Sequence, residues 1–100
     1  MSAAGTWDLV IATPIGRQAV TLDLTIDATV VRGTATGASE SVPLIDPVLT
    51  GDRLTWRQSI TRPIRLNLTF DVTITGDTLT GTSRAGRLPA STVTGRRRNP

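Results

Sequence analysis

One hundred residues carrying eleven Arg against eight acids, a formal charge of +3, make one small domain with a modest core. The chain holds no His, Cys, Lys or Tyr. That excludes disulfides, thiolate and Schiff-base chemistry, and the usual imidazole ligand and general base.

Trp7, Trp56 and Phe70 are the whole aromatic complement. They are not interleaved with the basic residues, and Arg96-Arg97-Arg98 reads as a solvated or back-packed end, so no nucleic-acid partner is expected. No apolar run approaches the ~18 residues of a membrane span. Met1-Ser2-Ala3-Ala4 lacks the charged and apolar regions of a secretory signal, so a cytoplasmic location is expected. A single domain over 1–100 is expected, with 1–4 and 98–100 frayed.

In chain order, the first strand is expected near 5–12, with Trp7, Leu9 and Ile11 on one side, and Pro14-Ile15-Gly16 turns the chain. The second, 18–26, sets Val20, Leu22, Leu24 and Ile26 on one face. The third, 29–37, continues with Val31, Gly33 and Ala35, and ends at Gly37-Ala38-Ser39. A fourth strand is expected over 41–49 and a fifth over 53–60, carrying Leu54, Trp56, Gln58 and Ile60 on one side before the Thr61-Arg62-Pro63 turn. The sixth, 64–74, alternates without a break: Ile64, Leu66, Leu68, Phe70, Val72 and Ile74 are apolar and every residue between is polar. Two further strands, 78–85 and 90–97, flank a turn at Arg84-Ala85-Gly86. No stretch has helical spacing.

A repeated phrase fixes the connections. Ile74-Thr75-Gly76-Asp77-Thr78-Leu79-Thr80 matches Leu49-Thr50-Gly51-Asp52-Arg53-Leu54-Thr55, and Ile26 to Val31 is a degraded copy. Gly-Asp suits a two-residue hairpin loop, since Gly accepts positive φ. The flanking apolar residues, Ile74 with Leu79, Leu49 with Leu54 and Ile26 with Val31, then face each other and point inward. The outward face becomes Thr, Asp and Arg, with Val10 and Val30 as isolated exceptions. One wet and one apolar face, joined by hairpins, imply an all-β fold: an antiparallel up-and-down barrel of about eight strands, in which closure removes both sheet edges. A two-sheet sandwich is the alternative, but no long crossover is visible.

Gly5-Thr6-Trp7 on the first strand and an Arg on the last resemble the calycin superfamily of lipocalins, fatty-acid-binding proteins and avidins. The resemblance implies that the Arg packs over the indole at the closed end. Parity selects Arg97, with Arg96 as the fallback. With repeated Gly-Asp-x-Leu-Thr and a terminal Thr94-Gly95-Arg96-Arg97, the whole chain is also similar to short actinobacterial barrel proteins of uncharacterised function. It lacks the disulfide and later loop motifs of lipocalins and the biotin-fixing residues of avidins, so the likeness implies the fold and no particular ligand.

Inside, the small residues Gly33, Ala35, Gly81, Ser83 and Gly95 are expected opposite Trp7, Trp56, Leu66, Leu68 and Phe70. Two readings follow: a lumen with room for one small ligand, or glycine bends that let coiled strands close. In the first, Trp56, Leu66, Leu68 and Phe70 line the lumen, while Gln58 and Ser83 orient an apolar or amphipathic ligand; the alternative for Gln58 and Ser83 is that they are rim residues meeting water. Among the acids only Asp46, between Pro43 and Pro47, is a weak catalytic candidate. No carboxylate cluster for a metal and no phosphate-cradling loop is present, so neither metal nor cofactor is expected. A cofactor-free cyclase or isomerase acting by shape in the same lumen is the enzymatic alternative. A module that self-associates through its outer wall is the structural one.

Overall fold

The computed structural model describes residues 3–13, 16–37, 40–61 and 65–98. The turn at Pro14 and Ile15, the bend at Ala38 and Ser39, the Arg62-Pro63 turn and the first residue of the long alternating strand, Ile64, lie outside them. Among the described residues every regular element is a strand: β1 (Gly5–Thr13), β2 (Gly16–Asp27), β3 (Val30–Thr36), β4 (Ser41–Pro43), β5 (Ile45–Thr50), β6 (Arg53–Ile60), β7 (Leu66–Thr75), β8 (Thr78–Ala85) and β9 (Ser91–Arg97).

They form one antiparallel sheet in the order β4-β3-β2-β1-β9-β8-β7-β6-β5. First and last strands of the chain pair at the middle of that order, with Trp7 opposite Arg97 and Ile11 opposite Val93. The two outermost strands, β4 and β5, are separated in sequence by Leu44 alone. The sheet therefore curls until its two edges meet in one continuous segment, giving a nearly closed up-and-down barrel.

The count is nine where about eight was expected, because segment 41–50 changes partner midway. Ser41–Pro43 pairs with Thr34–Thr36 of β3, and the Leu44 N–H donates to Gly33 O at 3.0 Å. A bulge follows between Ile45 and Val48, where Asp46 adopts φ 49°, and Val48–Thr50 then pairs with β6. Pro43 and Pro47 bring no N–H to a ladder, which suits a place where the ladder is handed from one neighbour to the other.

The side assignment follows the alternation. Ile74 pairs with Leu79, Leu49 with Leu54 and Ile26 with Val31. Trp7, Leu9, Leu22, Leu54, Phe70, Val72, Leu79 and Val93 are essentially sealed from solvent, while Val10 and Val30 point out. Each hairpin has positive φ at the first loop residue: Gly51 at 59°, Gly76 at 60° and Ala28 at 55°.

Of the terminal residues expected to fray, Met1, Ser2, Asn99 and Pro100 lie outside the described residues, while Ala3 and Arg98 make contacts with the first strand. Ala3 is buried and its carbonyl accepts the Trp7 indole N–H at 3.0 Å. The Arg98 N–H donates to Thr6 O at 2.7 Å, and its guanidinium bonds Asp8.

Candidate functional site

The barrel has two unlike ends. The hairpins β2–β3, β5–β6 and β7–β8, together with both chain ends, form one, called here the hairpin end. The connections β1–β2, β3–β4, β6–β7 and β8–β9 form the other, the loop end.

At the hairpin end, Arg97 lies over Trp7 with its guanidinium carbon 4.4 Å from the ring centroid. Parity selected this residue, and Arg96 is exposed. The Arg97 Nε–H donates to Asp77 at 2.9 Å, and its Nη1 donates to Ala4 O. One side chain thereby fastens the last strand, the β7–β8 hairpin and the start of β1. The role is structural.

The sequence-derived site residues lie towards the loop end of the interior. The ladder sets Trp56, Phe70 and Ser83 side by side on β6, β7 and β8, with Gln58, Leu68 and Ala85 in the next layer, and Leu66 opposite Ile60 beyond it. Trp56 and Phe70 stack with centroids 4.6 Å apart and planes inclined by 4°. The Trp56 indole N–H donates to Gln58 Oε1 at 3.0 Å. Leu66 and Leu68 are half-buried, whereas Gln58 and Ser83 are each only 5% exposed. The Gln58 amide NH₂ and the Ser83 hydroxyl make no hydrogen bond to any described residue. Because no fully buried polar side-chain atom among the described residues lacks a partner, both groups keep a contact with solvent. The site so built is an aromatic wall with two unspent polar groups one layer apart.

The small interior residues do not by themselves create space. A Cβ on Gly81 would stand 2.1 Å from Asp71 O, one on Gly95 2.3 Å from Leu9 Cδ2, and one on Gly33 2.6 Å from Asp23 O. Backbone of the neighbouring strand occupies that room beside Gly81 and Gly33, and the Leu9 side chain occupies it beside Gly95, so these three positions leave no space for a ligand.

Asp46 faces away from the interior. Its side chain is 73% exposed and pairs with Arg57, so nothing places its carboxylate near Gln58 or Ser83. No titratable side chain among the described residues is fully buried. The resolved shifts belong to the outer wall, where hydrogen bonds from Arg98 and Arg53 hold the Asp8 and Asp71 carboxyls below the usual carboxylate range. Among the described residues no cluster of three acids could hold a metal ion.

Sequence reasoning missed a hollow of about 470 Å³ at the hairpin end, lined by Ala3, Ile26, Leu49, Gly51, Asp52, Ile74 and Gly76. Its signal was present: Ile26, Leu49 and Ile74 are the last inward residues before the three hairpin loops, and Gly51 and Gly76 in two of those loops bring no side chain to the lining. Comparison with known proteins finds no protein family, no curated protein and no solved structure that matches the chain.

Proposed function

We propose that the barrel interior binds a small apolar or amphipathic molecule against the wall formed by Trp56, Phe70, Leu66 and Leu68, with Gln58 and Ser83 meeting its polar group. We also propose the calycin relation and actinobacterial affinity suggested by the sequence; the nearly closed antiparallel barrel and the Arg97–Trp7 pair are compatible with it. The observation that carries the binding reading is the two unspent polar groups, one layer apart, beside stacked rings and otherwise apolar neighbours. A few convergent polar groups in an apolar concavity are the ordinary composition of a ligand site. The Ser83 hydroxyl has no acid or base beside it among the described residues to activate it, so binding is the reading this wall supports; a cyclase or isomerase acting by shape alone would use the same wall.

The hairpin-end hollow favours a second placement for the same kind of ligand, because about 470 Å³ falls within the range of small-molecule pockets. Titration with decanol, read by tryptophan fluorescence, separates the two. Ser83→Leu, which removes the hydroxyl and fills the layer, should weaken binding at least tenfold, and Ile74→Phe should leave it unchanged. The reverse pattern moves the ligand to the hairpin end, and the absence of saturable binding in the unaltered protein refutes both placements.

A further inference from the structure

Among the described residues the unmatched positive charge is gathered at one end. At the hairpin end and along the walls the guanidiniums of Arg53, Arg57, Arg97 and Arg98 are matched by Asp71, Asp46, Asp77 and Asp8. The remaining cations at the hairpin end, Arg32 and Arg96, share it with the unpaired acids Asp27 and Asp52. At the loop end Arg17, Arg65, Arg84 and Arg87 are exposed and form no ion pair with any described acid. The acid placed among those loops, Glu40, accepts hydrogen bonds from the N–H and hydroxyl of Thr61 and keeps its charge, so among the described loop-end residues these four cations face one acid.

These four residues share one side of the rim. Arg65 precedes β7, Arg84 closes β8, Arg87 lies in the β8–β9 connection and Arg17 opens β2. Strands β7-β8-β9-β1-β2 are consecutive neighbours in the sheet, so the arc spans about 19 Å at the ordinary strand spacing. In its middle stands Leu88, at 60% the most exposed large hydrophobic residue of the described chain. The Leu88 N–H donates to Ala85 O at 3.1 Å, which fixes the turn that presents the side chain outward.

We infer that the loop end docks on an anionic lipid surface, with Leu88 entering the headgroup–acyl boundary and the four guanidiniums on lipid phosphates. Exposed apolar area flanked by cations suits that boundary, and guanidinium pairs well with phosphate oxygens. A nucleic acid would offer the same phosphates, but a reader of single strands stacks bases on aromatic side chains. Here Trp7, Trp56 and Phe70 are all buried. Docking would set the interior layer of Gln58 and Ser83 towards the bilayer, although the surface itself stands independently of any ligand inside.

Co-sedimentation of the full chain with phosphatidylcholine vesicles, with and without phosphatidylglycerol, tests this. Each cation near such a surface contributes about fivefold in partitioning. Binding should require phosphatidylglycerol and fall with salt. Arg84→Gln/Arg87→Gln should weaken it by roughly 25-fold. Leu88→Ser should weaken it several-fold with charge unchanged. All three positions are solvent-exposed, and near-ultraviolet circular dichroism checks that the variants fold. Equal affinity for both vesicles, binding to neither, or a Leu88→Ser protein that binds as tightly as the original overturns the inference. So does a duplex oligonucleotide bound more tightly than the anionic vesicles.

Discussion

Arg97 shows how one residue can be read from parity and then explained by its contacts. Alternation along the last strand puts it on the inner side with Val93 and Gly95, and its register partner is Trp7. Arg97→Ala should destabilise the protein by about 2 kcal/mol in urea titration, since a partly desolvated cation–π contact is worth about 0.5–2 kcal/mol and the Ala4 and Gly76 carbonyls lose a donor. Decanol affinity should stay unchanged, because Arg97 lies at the opposite end from Gln58. A large loss of affinity with little loss of stability would contradict the structural assignment. Ala28 is the converse case. It sits at φ 55°, where Gly51 and Gly76 stand in the other two hairpins. Ala28→Gly should therefore raise stability by about 0.5–1 kcal/mol, the strain of a Cβ at positive φ outweighing the added freedom of the unfolded chain. A fall in the urea midpoint would show that the loop is unstrained. The Trp56–Gln58 bond was not legible in the sequence. Residues two apart on a strand share a face, but whether an indole N–H turns towards an amide depends on Phe70 stacking against it from the neighbouring strand.

At the scale of the strands, side and register were legible and partner exchange was not. A two-residue loop leaves one pairing for its flanks, so Ile74 with Leu79 and Leu49 with Leu54 follow from sequence alone, and a period of two carries the assignment along each strand. The break at Leu44 depends on where β3 and β6 end relative to each other around the barrel, which no local pattern encodes. Pro43 and Pro47 mark the place only in hindsight. The glycines on β8 and β9 were read as either room or bend, and packing decides. Gly81→Ala should cost more than about 2 kcal/mol, because the new methyl would meet backbone rather than a yielding side chain. Thermal unfolding checks this; a neutral or stabilising Gly81→Ala would mean that space remains beside β8.

For the whole molecule, the composition governs the response to pH. Asp8 and Asp71 are held below the usual carboxylate range by hydrogen bonds from Arg98 and Arg53. A lowered carboxylate contributes stability that is fully present above its unfolded value of about 3.9 and is lost as pH falls through the folded value. With no His, Cys, Lys or Tyr, the ordinary values of the side-chain types present lie outside about pH 5 to 10. The thermal midpoint should be level from about pH 5 to 7 and fall below about pH 4, with Asp71→Asn reducing the acid slope. A midpoint that moves between about pH 5 and 7 would be inconsistent with this distribution of charges.

The claim on which the functional reading depends is that Ser83 looks into a ligand-accessible interior while Thr82 looks out. The absence of Cys makes thiol labelling of Thr82→Cys and Ser83→Cys direct. Position 82 should react at the rate of a free thiol, whereas position 83 should react at least about a hundredfold more slowly, as its near-complete burial implies, and more slowly still with decanol present. Equal rates at the two positions, or a rate at position 83 that decanol leaves untouched, would contradict the account.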